Sequence, residues 1–222
     1  MNSPIKFLSF LLLLIILSTY TPNHKNKNKS LIFPITEISV ENTKFVNSKK
    51  IITALQYLEG KNLLFLDKQK IKSTILEFNF ISSFEVKKIY PKTLKIIVFE
   101  KEPIAIFVKG KNKFYISNKG DLINYVKFNN YKDLPLVFGK EKNFNIFFEE
   151  LKDLGFSINN VKSFHYFDLG RWDIVLKNNR LIKLPKNNYI EKLKNFILIN
   201  NNKSFDKYKI FDYRIKDQLI LN

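Results

Sequence analysis

Two carboxylates, Glu100 and Glu102, stand two residues apart at the end of the apolar run Thr93-Leu-Lys-Ile-Ile-Val-Phe-Glu100. On a continuing strand they would share one face about 6.6 Å apart, near the lower edge of the carboxyl separations used by inverting glycosidases. A structural reading opposes this one. Lys101 and Pro103 interrupt the strand locally, and an acidic side chain on a lysine-rich surface more often forms an exposed ion pair. The histidines are His24, in a polar stretch where it reads as solvated, and His165, in the apolar run Phe164-His-Tyr-Phe167. With no second His beside it and no Cys in the chain, His165 lacks the partners of a metal site and reads as a core or sheet-face residue. The sequence contains no Gly-rich phosphate loop, Gly-x-Ser-x-Gly elbow or His-Glu-x-x-His. No cofactor or metal is expected. The residue types point to binding rather than to catalysis.

The elements that would position these residues divide into two modules, which 222 residues accommodate. Hydrophobic residues make up 45% of the chain, 22 Phe among them, enough for real cores. The formal charge of +18 suggests nucleic acid, but only three of the 38 basic residues are Arg (Arg171, Arg180 and Arg214). The guanidinium fork is the preferred reader of phosphates and base edges, and the lysines are spread along the chain instead of forming a patch. No nucleic-acid partner is expected. The charge favours an anionic membrane surface or cell wall. Without Cys, disulfides and thiolate nucleophiles are excluded.

Residues 1–6 form a short N-terminus before an apolar run, Phe7 to Tyr20. At about 1.5 Å per residue this run reaches about 21 Å, marginal against a bilayer core of about 30 Å. A snorkelling Lys6 would extend it. We read 7–22 as an uncleaved membrane anchor, because Ser18-Thr-Tyr-Thr-Pro22 offers no small-x-small cleavage site. Lysines lie on both sides of the segment, and charge alone would keep the body of the chain in the cytoplasm. Residues 23–33 read as a flexible Asn/Lys-rich tether.

Residues 34–104 read as β-α-α-β-β. A strand covers Ile35–Val40. A helix capped at Asn47-Ser48 carries Ile51, Ile52, Leu55 and Leu58 and stops at Gly60. A second helix, capped by Asp67, carries Ile71, Ile75 and Phe78. Strands Phe84–Tyr90 and Thr93–Glu100 then meet at Pro91-Lys92. Residues 105–222 read as a mostly antiparallel β domain with two helices, one with Phe144, Phe147, Phe148, Leu151 and Leu154 on a stripe, the other with Ile190, Leu193, Phe196 and Ile197. The fold class is α+β. The last strand-like run, Gln218 to Leu221, is a candidate sheet edge whose free N–H and C=O groups a partner strand could take. The opposing reading is an edge protected by Lys216 and Asp217, or paired internally.

The order of elements, together with "GKNLLFLD", "FEVKKIYPKTLKIIVFEKEPIAIF" and "FYISNKGDLI", resembles the FtsQ/DivIB family of cell-division proteins. Pro91, Leu94, Glu100, Pro103, Ala105 and Phe107 fill the family's pattern, as does Leu134-Pro-Leu-Val-Phe-Gly139. The resemblance implies a POTRA-type first domain and a β domain in a non-enzymatic, bitopic scaffold of the division septum. Its N-terminus would be cytoplasmic and its domains periplasmic. It further implies recruitment of FtsB and FtsL by strand addition at the C-terminal strand, through Tyr213, Arg214, Ile215, Lys216, Gln218, Leu219, Ile220 and Leu221, with Arg180 on the same surface. Other division proteins would meet the POTRA domain. This chain departs from the pattern at Lys87, Lys88 and Lys101, where the family carries arginines, at Ser117 for an aspartate, and at Gln218 and Leu221 for a glycine and an aromatic. The other reading of the whole chain is a secreted cationic protein with a cleaved signal peptide, binding envelope polymer or nucleic acid.

Overall fold

A computed structural model describes residues 3–19 and 32–222; the first two residues and most of the expected tether, with His24, lie outside the described residues. The first helix, α1 (Ser3–Thr19), begins earlier than the apolar run and presents Phe7 to Leu17 as exposed side chains. Its 17 residues make about 26 Å of helix. Among the described residues, no helix is long and apolar enough to cross a membrane.

The first module has the expected element order: β1 (Glu37–Glu41), α2 (Ser48–Leu55), α3 (Lys68–Leu76), β2 (Ile81–Ile89) and β3 (Thr93–Glu100). Both helix starts follow from their caps. The Asn47 side chain accepts the Lys49 N–H and the Asp67 side chain accepts the Lys70 N–H, which satisfies donors that a helix end leaves free. The strands order β1-β3-β2, with β3 parallel to β1 and antiparallel to β2. Ile51, Leu55, Ile71 and Ile75 of the helices bury against Ile38, Leu94, Ile96 and Val98 of the sheet.

The second module is one nine-stranded sheet, and its pairing is more mixed than expected. Its elements are β4 (Pro103–Lys109), β5 (Asn112–Ser117), β6 (Leu122–Asn124), β7 (Leu136–Phe138), α4 (Phe144–Asp153), β8 (Val161–Phe167), β9 (Arg171–Leu176), β10 (Leu181–Lys183), α5 (Tyr189–Asn200), β11 (Ile210–Asp212) and β12 (Ile220–Leu221). The spatial order is β12-β11-β10-β9-β8-β7-β4-β5-β6. Three ladders in it are parallel: β4/β7, β7/β8 and β10/β11. Parallel neighbours need a crossover connection, and α4 and α5 supply two of the three. The helices therefore do more than cover the sheet; they set its strand directions.

Register divides the sheet into two faces. Phe107, Val137, Phe164, Ile174, Ile182, Phe211 and Leu221 form one continuous row across seven strands. Phe144, Phe147 and Leu151 of α4 and Leu193 and Phe196 of α5 pack in the same core. The adjacent residues Val108, Phe138, His165, Asp173, Lys183, Asp212 and Ile220 form the row on the opposite face, as strand alternation requires.

Candidate functional site

The two glutamates with which the sequence raised chemistry are separated by the fold. Strand β3 ends at Glu100 and β4 begins at Pro103, so the shared strand face does not form. Among the described residues Glu100 also does not form the expected surface ion pair. Its carboxylate accepts the N–H groups of Lys44 (3.0 Å), Phe45 (3.0 and 3.1 Å) and Val46 (2.9 Å). Three consecutive amides around one carboxylate make an anion nest, filled here by the protein's own side chain. Phe45, held by this contact, enters an aromatic cluster: its ring lies 5.8 Å from Phe80, 5.4 Å from Phe128 and 4.9 Å from Tyr131. Tyr115 of β5 joins through Tyr131 at 5.6 Å. Burial, then the charges of Glu102 and Glu100, push the Tyr131 phenol up to about 12. Glu102 is exposed, and its carbonyl accepts the Asn118 N–H. Glu100 is a joint residue that ties the β1–α2 loop to the seam between the modules.

The C-terminal region brings most of the other expected site residues together. Strand β12 is the outermost strand of the large sheet, antiparallel to β11 with Phe211 opposite Leu221 and Asp212 opposite Ile220. The Asn222 carbonyl accepts the Lys209 and Ile210 N–H groups at 2.6 and 2.9 Å, and its own N–H donates to Ile210 at 3.1 Å. In an antiparallel ladder the backbone groups of successive residues face alternate sides. Those of the intervening Leu221 therefore face away from β11. Leu219 and Leu221 pack partly against the core, whereas Ile215 and Ile220 are 48% and 39% exposed. Lys216 and Gln218 are exposed in the turn leading to β12.

Three of the named residues hold this edge, Tyr213 and Arg180 from beneath and Arg214 from the exposed face. Tyr213 is buried; its N–H donates to the Lys183 carbonyl and its hydroxyl donates to Asn195 Oδ1, both at 2.9 Å. Arg214 grips the Asp212 carboxylate through Nε (2.8 and 3.0 Å) and Nη2. These hydrogen bonds hold the Asp212 carboxyl below the usual carboxylate range against the opposing effect of burial. A depressed carboxylate adds stability above the unfolded carboxylate range and loses it as pH falls through the folded value. Arg180 lies away from the surface: its guanidinium donates to Asn200 Oδ1 (2.6 Å) and Asp206 Oδ1 (2.8 Å), and it sits 5.7 Å from the Phe211 ring centroid. It supports β11 from beneath.

Sequence reasoning missed Asp173 and Lys183, which share the outer row with Asp212. The alternation of Trp172-Asp-Ile174 and Leu181-Ile-Lys183 carried a signal, but only strand register places the two side by side. Asp173 is buried, its Oδ1 has no hydrogen-bond partner among the described residues, and burial raises its carboxyl, opposed first by Arg171 and then by Arg214 and Lys183. Across from it, His165 stacks on Phe138 at 4.8 Å, with Nε2 2.9 Å from Ser163 Oγ. Burial lowers its pKa, with the Asp173 charge acting the other way. His165 is thus a sheet-face histidine. The row ends on β12, beside the open edge.

Comparison with known proteins agrees with this architecture. The family model for the FtsQ-type POTRA domain matches residues 33–101, and that for the C-terminal part of cell division protein FtsQ/DivIB matches 105–214. Cell division protein FtsQ of Rickettsia conorii is 28% identical over 207 residues, covering 91% of this chain and 77% of that protein. The Rickettsia bellii protein of the same name is 29% identical over 190 residues, covering 84% and 71%. For FtsQ of Bartonella bacilliformis the figures are 27% over 167 residues, 74% of this chain and 54% of that one, so the chain spans about half of that relative's length. The solved extracytoplasmic domain of Geobacillus stearothermophilus DivIB matches 46% of the chain at 15% identity with a TM-score of 0.35, too low to carry an argument. With both family models matched in order along most of its length, the chain belongs to the FtsQ/DivIB family of cell-division proteins.

Proposed function

We propose that this chain is a non-enzymatic, membrane-anchored scaffold at the division septum that recruits FtsB and FtsL by adding a partner strand to β12. The observation that carries the reading is the edge itself. Among the described residues strand β12 is bonded to β11 on one side only, its inner side is clamped by Asn222, and the backbone of Leu221 is turned outward. Strand addition to such an edge takes affinity from main-chain hydrogen bonds and specificity from flanking side chains; the exposed Ile220 and Ile215 offer the latter. In this reading α1 is the anchor, with Phe7 to Leu17 facing lipid and the N-terminus cytoplasmic. The modules 34–104 and 105–222 are periplasmic, and the first of them meets other division proteins.

The test is a single proline. Leu221→Pro removes an outward N–H while leaving the inward pairing of Ile220 and Asn222 intact. Co-purification of FtsB and FtsL should fall at least about tenfold, equivalent to about 1.4 kcal/mol, relative to Leu221→Ala, which trims the same partly packed side chain but keeps the N–H. Unaltered co-purification would refute the edge-strand reading. Truncation before Lys209 is a poorer test, because it also takes Phe211 and Tyr213 from the core.

A further inference from the structure

The end of the first module nearest the chain's entry carries an apolar surface that is left largely exposed among the described residues. Ile32 is 66% exposed, Phe65 82% and Tyr90 50%, with Leu64 and Ile89 also exposed. These side chains come from three segments that the backbone ties together. The Leu63 N–H donates to the Phe33 carbonyl at 2.9 Å, the Phe33 ring meets Tyr90 edge-on at 5.1 Å, and Lys88 Nζ donates to the Leu64 carbonyl at 2.9 Å. Asn62 fixes the loop, its Oδ1 accepting the Leu64 N–H and its carbonyl the Phe65 N–H. Phe65 is therefore held in solvent by a turn with satisfied bonds. Single exposed apolar residues are ordinary, but a contiguous cluster marks a contact surface.

Its surroundings identify the partner. Lys61, Lys88 and Lys92 lie on the same segments: the Lys61 carbonyl accepts the Ile35 N–H, and the Lys92 carbonyl accepts the Thr36 N–H. Of the nearby acidic groups, Asp67 caps α3 and Glu37 accepts the Thr93 hydroxyl, which leaves the exposed Glu59 against the three lysines. Aromatic rings with a fringe of lysines suit the membrane–water boundary, and lysines near anionic headgroups are attracted to them. The 12 residues between Thr19 and Ile32 span at most about 45 Å, which limits how far this surface can stand from α1. We propose that this end of the module, with Phe65 at its tip, rests in the headgroup layer of an anionic membrane, with the three lysines against lipid phosphates. The inference rests on α1 being membrane-inserted. It adds a second, peripheral contact that sets how the first module stands on the bilayer.

Because the chain has no Cys, an NBD dye on Phe65→Cys reports one position. The full chain is placed in nanodiscs of phosphatidylcholine and phosphatidylglycerol, with or without a shallow nitroxide lipid. Emission at position 65 should be blue-shifted and largely quenched, whereas dye on Lys111→Cys, in the β4–β5 turn, should stay unquenched. Quenching should drop in a Lys61→Glu/Lys92→Glu background and in discs of phosphatidylcholine alone. A chain that co-elutes with the discs yet leaves position 65 as unquenched as 111 overturns the proposal. A blue shift without quenching also overturns it, since protein and not lipid then covers the tip. A chain that does not co-elute with the discs removes the anchor reading, and the surface contact that depends on it.

Discussion

Replacing Phe211 with alanine is expected to cost about 4 kcal/mol of folding stability, within the range for deleting a fully buried ring. The residue is 0% exposed, meets Phe196 of α5 edge-on at 5.0 Å, and lies 5.7 Å from the Arg180 guanidinium. The cavity would open beneath the middle of a three-residue strand, where the crossover helix, the supporting arginine and the clamp on β12 converge. Because Phe211 sits opposite Leu221, the edge strand loses its support together with the core. Thermal denaturation should show a midpoint lower by about 10 °C, and the proposed binding of FtsB and FtsL should fall in parallel. A Phe211→Ala protein with unchanged melting would mean that β11 does not pack as described.

Replacing Glu100 with alanine should cost about 2 kcal/mol and loosen the seam. The change leaves three amide N–H groups without their acceptor, and hydrogen bonds to a charged group contribute about 1.5–3 kcal/mol each. Partial exposure lets water recover much of that sum, so the net effect stays near the cost of one bond. Glu100→Gln should fall between wild type and Ala, because one carboxylate oxygen becomes a donor facing N–H groups. Urea denaturation measures the loss, and amide exchange at Lys44, Phe45 and Val46 locates it. Glu102→Gln, at an exposed side chain, is the control and should leave both unchanged. If Glu100→Ala exchanges no faster at those three amides, the nest does not hold the modules together.

How much of this was legible in the sequence follows from the range of the interactions. The caps at Asn47 and Asp67 act over two and three residues, and the apolar stripes of α2 and α4 repeat within one element. Both could be read directly. The role of Glu100 could not, because its acceptor contacts reach residues 54 to 56 positions away. Arg180 reads as a surface cation until Asn200 and Asp206 are folded over it, 20 and 26 positions on. The three parallel ladders escaped notice for a related reason: short strands rich in Ile, Leu and Phe show alternation but not direction. Ser117 is a local exception. Its hydroxyl accepts the Lys119 and Asp121 N–H groups within four residues, so the turn is held locally.

The central claim, that β12 is completed by a partner strand, is tested most directly by hydrogen exchange over Gln218 to Asn222 with and without the FtsB–FtsL complex. The account predicts strong added protection at the outward amide of Leu221 and little change on β6, at the opposite edge of the sheet. A complex that forms while these amides exchange at the free rate would contradict it.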